Sequence, residues 1–152
     1  MVLVLDSSDS GKAVDAVTWF HEIGFRAYNA HDLDTLRSLF GSDFVGVDHR
    51  PVSLGTFDAD GFVAFTAGLF ELVRTQRLDH RWIETRGDVG LFHATETAET
   101  LDGAEVSFET IFVAVVADGK ARRWDIFALE AEADARALFE ELAASAANER
   151  RP

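Results

Sequence analysis

The spacing of hydrophobic positions divides this chain into helical and extended stretches. Residues 13–29 place Val14, Val17, Phe20, Ile23 or Gly24, and Ala27 at intervals of three and four, as a helix with one buried face requires. His31-Asp32 breaks that helix. Asp32 is a good N-cap for a short second one, with Leu33, Leu36, Leu39 and Phe40 inward and Gly41 at its end. Residues 42–49 read as a strand that Arg50-Pro51 stops. After a loop at 52–57, Asp58 or Asp60 caps a third helix that buries Phe62, Phe65, Leu69 and Leu72. From residue 76 the period is two. Strands are predicted at 76–85, 89–100, 105–116 and 120–129, with turns at Arg86-Gly87-Asp88, Leu101-Asp102-Gly103 and Asp118-Gly119. From Glu130 onward the chain is Ala-rich, and Leu138, Phe139 and Leu142 give a final amphipathic helix.

This order predicts an α+β fold, with three N-terminal helices packed on one face of a curved antiparallel sheet and a C-terminal helix at the end. The strands at 105–116 and 120–129 are apolar on both faces near their turn, so each face needs a cover. The preceding helices supply one. The other face carries Ile111, Val113, Val115 and Phe127, too apolar for water, and is predicted to be buried in a homodimer. A single domain is expected over residues 13–147, between tails at 1–12 and 148–152. Residues 2–5 read as a short strand or an unstructured start. Ser7-Ser8-Asp9-Ser10-Gly11-Lys12 lacks the first glycine and the hydroxyl residue of a phosphate loop, so it reads as a linker.

Composition narrows the functional classes. With 47% hydrophobic residues and 13 Phe among 152, the chain can fill a core without staples. The absence of Cys excludes a disulfide framework and thiolate metal sites. A net charge of −13 opposes nucleic acid and anionic membranes. No apolar run is long enough to span a bilayer, and the first residues lack a signal peptide's basic flank. The expected protein is cytoplasmic and binds neither nucleic acid nor membrane.

Asp48, ending the first long strand, is the leading carboxylate for proton transfer if apolar walls desolvate it. Arg50 shares its strand face and would oppose that effect by favouring the charged form. His80 and His93 lie on paired strands and could converge for acid–base work near neutral pH, while His49 faces away from Asp48 by alternation. No spacing makes a metal site, and no cofactor is predicted. Phe108, Thr110, Phe112 and Ala114 share one strand face, as do Trp124, Ile126 and Ala128 on the next. With Trp19, Phe65 and Trp82 they suggest a greasy pocket in which Trp19, Phe65, Trp82, Phe108, Phe112, Trp124 and Ala128 contact a hydrophobic ring-like or acyl ligand.

Three stretches carry a family resemblance: Tyr28-Asn-Ala-His-Asp-Leu-Asp-Thr-Leu-Arg-Ser-Leu-Phe, Ser42-Asp-Phe-Val-Gly-Val-Asp-His-Arg, and Asp118-Gly-Lys-Ala-Arg-Arg-Trp-Asp-Ile-Phe. In order and spacing the chain resembles the NTF2-like superfamily over roughly residues 13–142. That is the cone fold of ketosteroid isomerases, scytalone dehydratases, limonene epoxide hydrolases and SnoaL-like cyclases. The resemblance implies that Asp48 matches the isomerase general base. The isomerase tyrosine falls at Gly24, with Tyr28 one turn on, and its protonated aspartate falls at Phe112. The acid of SnoaL-like cyclases falls at Ala128, and Asp125 lies on the opposite strand face from Trp124. Neither mechanism is therefore expected in its familiar form. Two readings stand: a cyclase, dehydratase or isomerase using Asp48 with help from His80, His93 or Tyr28, and a non-catalytic ligand-binding or sensory module.

Overall fold

The structure is a computed structural model that describes residues 15–149. The tail expected at 1–12, with its possible strand and linker, and residues 150–152 lie outside that range. Helix α1 (Ala16–Asn29) is capped by Asp15, whose carboxylate accepts from Thr18 N–H, and it buries Val17, Phe20, His21, Ala27 and Tyr28. Asp32 caps α2 (Leu33–Ser38) and Asp58 caps α3 (Ala59–Glu71) in the same way, through Thr35 N–H and Gly61 N–H. Between them runs β1 (Phe40–Asp48), so Phe40 and Gly41 open a strand rather than close the helix. Within the expected loop, Thr56–Phe57 forms β2 and pairs antiparallel with β1 at Gly46 and Val47.

The predicted meander follows: β3 (Val73–Arg86), β4 (Val89–Thr100), β5 (Glu105–Ala117) and β6 (Lys120–Ala128). Asp118 adopts a positive φ of 55° and Gly119 one of 74°, as the tight Asp-Gly turn demands. A 3-10 turn at Leu129–Ala131 leads into α4 (Glu132–Glu149). The sheet order is β2-β1-β6-β5-β4-β3. One junction is parallel: β1 lies beside β6, with Asp48 opposite Ile126 and Gly46 opposite Trp124. This pairing brings the end of β1 alongside the last strand and sets Asp48 and Arg50 next to the inner sheet wall.

Two cores share the sheet. Phe20, Phe40, Phe44, Phe92 and Ala114 pack between α1–α3 and the concave face. Gly90 is needed here, because a Cβ on it would meet Val17 at 2.6 Å and Phe92 at 2.5 Å. Its bare backbone lets α1 close on the sheet at Val17. The opposite face carries Leu91, Ile111, Val113 and Phe127 under Ala135, Phe139 and Ala143 of α4. This corrects the reasoning behind the homodimer. Ile111, Val113 and Phe127 are buried, and Val115 is partly buried, beneath the chain's own last helix rather than a second copy. Full burial of a side chain like Phe139 contributes about 2–3 kcal/mol. Helix α3 also departs from expectation. Phe65 remains 46% exposed and Leu72 65% exposed. Phe65 stands over a cavity, and Leu72 lies past the helix as its C-cap.

Candidate functional site

Between α1–α3 and the concave face lies a cavity of about 230 Å³. Its sheet wall comes from Leu78, Glu96, Phe108, Thr110, Phe112, Trp124 and Ile126, and its roof from residues such as Phe20, His21, Tyr28, Phe62 and Phe65. The lining is mainly apolar. An apolar cavity of ~150 Å³ already holds benzene, so this one suits a compact ligand of one or two rings.

The most distinctive polar contact joins α1 to β4. Tyr28 Oη donates to Glu96 Oε2 at 2.7 Å. Tyr28 sits in the last turn of α1 on its buried side. Glu96 points inward because β4 pairs it with Leu78 and Phe108, both in the cavity wall. Burial pushes the Glu96 carboxyl above the ordinary glutamate range, although the Tyr28 hydrogen bond and the Arg50 charge pull the other way. Burial, the neighbouring charge of Glu96 and the same hydrogen bond push the Tyr28 phenol well above its usual range. Burial thus favours the protonated form of the Glu96 carboxyl, and the phenol remains a hydrogen-bond donor.

Asp48 is held differently. Its side chain is wholly buried. Oδ1 accepts from Arg50 N–H at 3.0 Å and Arg50 Nε at 2.9 Å. Oδ2 accepts from Arg50 Nη2 at 2.8 Å and Leu54 N–H at 2.9 Å. Burial alone would raise its pKa. The Arg50 hydrogen bonds, the Leu54 donor and the guanidinium charge outweigh burial and hold the carboxyl below the usual aspartate range. Asp48 itself does not line the cavity, but Arg50 does. The pair thus presents a fixed guanidinium at the cavity edge.

The two strand histidines do not converge. His80 lies 3.6 Å from Glu22 in a surface groove, with Phe25 beside it. His93 bonds Glu109 Oε1 at 2.8 Å on the α4 side of the sheet. A bulge explains the division. The register of β3 on β4 slips between His80 and Trp82, where Arg81 is the extra residue. Every side chain beyond the slip changes face. Trp82 is therefore not in the cavity; it packs with the α4 core, and Arg136 lies 5.1 Å from its ring centre. Trp19 does not line the cavity either, because the turn of α1 directs its neighbours Phe20 and His21 inward instead. Ala128 pairs with Thr110 but ends its strand outside the lining. Phe65, Phe108, Phe112 and Trp124 do line it, with Phe65 and Phe108 at the exposed rim.

Three functional candidates escaped sequence reasoning. Glu96 was visible in principle, as a charged residue in the same strand phase as Phe92, Ala94 and Ala98. Arg50 was noticed only as a partner of Asp48. His21 is a polar residue on the inward side of α1, 3% exposed, stacked on Phe92 and lining the cavity. On the opposite sheet face, His49 Nε2 and Arg123 instead hold the buried Asp125 carboxylate, His49 at 2.7 Å. Among the described residues no cluster of three or more His, Asp or Glu side chains could hold a metal ion. No helix of the described residues is long and apolar enough to cross a membrane.

A model of the SnoaL-like domain matches residues 24–124, which is most of the cavity-forming chain. The chain belongs to the SnoaL-like domain family. Its architecture is that of the NTF2-like superfamily, a curved open sheet with helices on the concave face and a C-terminal helix. TerC, crystallised with polyporic acid, superposes with a TM-score of 0.64 at 18% identity, over 79% of this chain and 96% of that one. A hypothetical protein with a ketosteroid isomerase-like fold from Catenulispora acidiphila, in complex with trimethylamine, gives 0.62 at 12% identity, covering 71% and 83%. An LEH-like epoxide hydrolase from M. tuberculosis gives 0.61 at 19% identity, covering 74% and 81%. At these identities the likeness is one of fold. No curated protein matches the chain.

Proposed function

We propose that this SnoaL-like protein is an acid–base enzyme acting on a compact hydrophobic ring compound. In this reading Glu96 moves a proton at a carbon beside a carbonyl group. The observation that carries it is the Glu96–Tyr28 pair. It is a carboxyl raised by burial, donated to by a phenol at 2.7 Å, in the wall of an otherwise apolar cavity. Glu96 takes the proton from carbon, and the bonding electrons move onto the carbonyl oxygen as an enolate. The Arg50 guanidinium, fixed by Asp48, and the Tyr28 hydroxyl, once Glu96 is protonated, are the donors at hand for that oxygen. Proton return to a different atom gives isomerisation. Loss of a neighbouring hydroxyl gives dehydration, and attack on a second carbonyl gives cyclisation. Asp48 acts in this scheme by positioning Arg50. A homodimer through Ile111, Val113, Val115 and Phe127 is no part of it, because α4 occupies that face.

The test needs no natural substrate. In deuterium oxide, the wild-type protein should speed exchange of the α-protons of 1-tetralone over buffer. Glu96→Gln keeps the shape and removes the acceptor, and it should lower that rate by about 100-fold or more. Unchanged exchange in Glu96→Gln would contradict the proposal. Tight ketone binding with no exchange in wild type would favour the non-catalytic binding module.

A further inference from the structure

The sheet wall of the cavity carries a hydroxyl that the proton-transfer scheme does not use. Thr110 is 8% exposed and lines the cavity from β5, on the strand face it shares with Phe108 and Phe112. Among the described residues no side-chain hydrogen bond ties its hydroxyl. The side-chain nitrogens and oxygens that are both fully buried and unpartnered belong to His21 and Trp124, and Thr110 Oγ1 is not one of them. The Thr110 hydroxyl is therefore unpaired and still accessible, on a strand face that looks into the cavity. Its direct partners across the sheet are small, Ala94 on β4 and Ala128 on β6. Along its own strand Phe108 and Phe112 stand four residues apart, about 13 Å. A ring fits between them, over the hydroxyl.

The register sets this hydroxyl beside Glu96. Glu96 pairs with Phe108 across β4 and β5, so Thr110 is its diagonal neighbour on the same face. Such neighbours lie about 7–8 Å apart. A ketone spans that gap. With its α-carbon against the Glu96 carboxyl, its carbonyl oxygen, two bonds away, comes within reach of Thr110. The other donors are engaged at rest: Tyr28 donates to Glu96, and Arg50 Nε and Nη2 are held by Asp48. Thr110 is free before a ligand arrives. A partly buried hydroxyl that gains an acceptor recovers a hydrogen bond that its surroundings lack. The bond strengthens when the acceptor becomes charged, as a carbonyl oxygen does on forming an enolate.

We propose that Thr110 is the residue that holds the carbonyl oxygen of the ligand and fixes which carbon meets Glu96. The ring lies between Phe108 and Phe112, its carbonyl oxygen accepts from Thr110 Oγ1–H, and its α-carbon faces β4. When Glu96 takes the α-proton, the C–H electrons form the new carbon–carbon double bond and the carbonyl π electrons move to oxygen. Thr110 keeps its own proton throughout and donates to the enolate as it donated to the ketone. This rests on the reading of the cavity as a ketone site and deepens it. The ligand class is a ring ketone with an α-hydrogen on the carbon next to the held carbonyl.

Two near-isosteric variants and two matched probes test this. Thr110→Val keeps the shape and removes the hydroxyl, and Thr110→Ser keeps the hydroxyl. By calorimetric titration, Thr110→Val should weaken 1-tetralone binding about threefold to tenfold. It should leave tetralin, the same ring system without the oxygen, within about twofold. Thr110→Ser should bind both probes like wild type. Exchange of the 1-tetralone α-protons should fall further than affinity does, by about tenfold to 100-fold in Thr110→Val, because the enolate depends on the donor more than the ketone does. Should the valine variant not fold, Thr110→Ala carries the same expectation. Equal losses for tetralin and 1-tetralone would mark Thr110 as a packing residue and overturn the proposal. So would ketone binding and exchange both within twofold of wild type in Thr110→Val, and if exchange there still depended on Glu96, the proton-transfer reading would stand without Thr110. Ketone binding that needs the Thr110 hydroxyl, with no exchange in wild type, would support the carbonyl contact and overturn the proton-transfer reading. No binding of 1-tetralone by wild type would overturn both.

Discussion

At the scale of single residues, burial has opposite outcomes at two carboxylates because their partners differ. Asp48 receives four hydrogen bonds, three of them from Arg50, and stays charged. Its folded pKa lies below the ordinary value, so its stabilising effect is full above the usual carboxylate range and fades as pH falls through the folded pKa. Asp48→Asn should cost about 3 kcal/mol at neutral pH, near the low end because Arg50 keeps some access to water. Denaturant titrations across pH should show the gap to wild type narrowing in acid; a constant gap would count against the charged pair. Glu96 has the reverse sign. Its folded pKa is raised, so the fold favours the protonated form and loses stability as pH rises through that value. Glu96→Gln should therefore melt above wild type at neutral pH and match it in acid. Phe112 and Trp124 were legible as cavity residues because strand alternation fixes their face. Glu96 obeys the same alternation, but a carboxylate is rarely buried without a partner, and its partner Tyr28 lies 68 residues away in the chain. The fate of Asp48 depended on whether Arg50 folds back onto it, a matter of side-chain geometry that alternation leaves open.

At the scale of elements, the four-strand meander and the caps at Asp32 and Asp58 follow from local sequence, since turn chemistry and N-cap geometry are short-range. Two features were not legible for a shared reason. The bulge at Arg81 inserts one residue without a sequence marker, and it moves Trp82 to the α4 side. The docking of α4 is a long-range contact that periodicity can suggest but not address to a face. Phe139, 1% exposed beneath Arg86 and against Leu91 and Ile111, anchors it. Phe139→Ala should cost about 3–5 kcal/mol and bare an apolar sheet face, read as a lower denaturation midpoint and gained dye binding. Gly90→Ala should cost about 1–3 kcal/mol by overpacking against Val17. A neutral result there would mean that α1 sits further from the sheet.

At the scale of the molecule, the cone separates two tasks. The α4 face and part of the concave side are filled with side chains, and the rest of the concave side is left open as a cavity. Its fold and apolar walls were legible in the sequence, whereas the acid that equips it was not. Proton transfer by Glu96 requires a carboxyl whose pKa the cavity raises and whose hydrogen bond to Tyr28 restrains that rise. Carbon-detected NMR of the Glu96 carboxyl through a pH titration measures this directly. The expected result is a midpoint above the ordinary glutamate value of 4.5, moving higher still in Tyr28→Phe, which removes a donor to the charged form. A midpoint at or below 4.5, unmoved by the loss of the Tyr28 hydroxyl, would contradict the account.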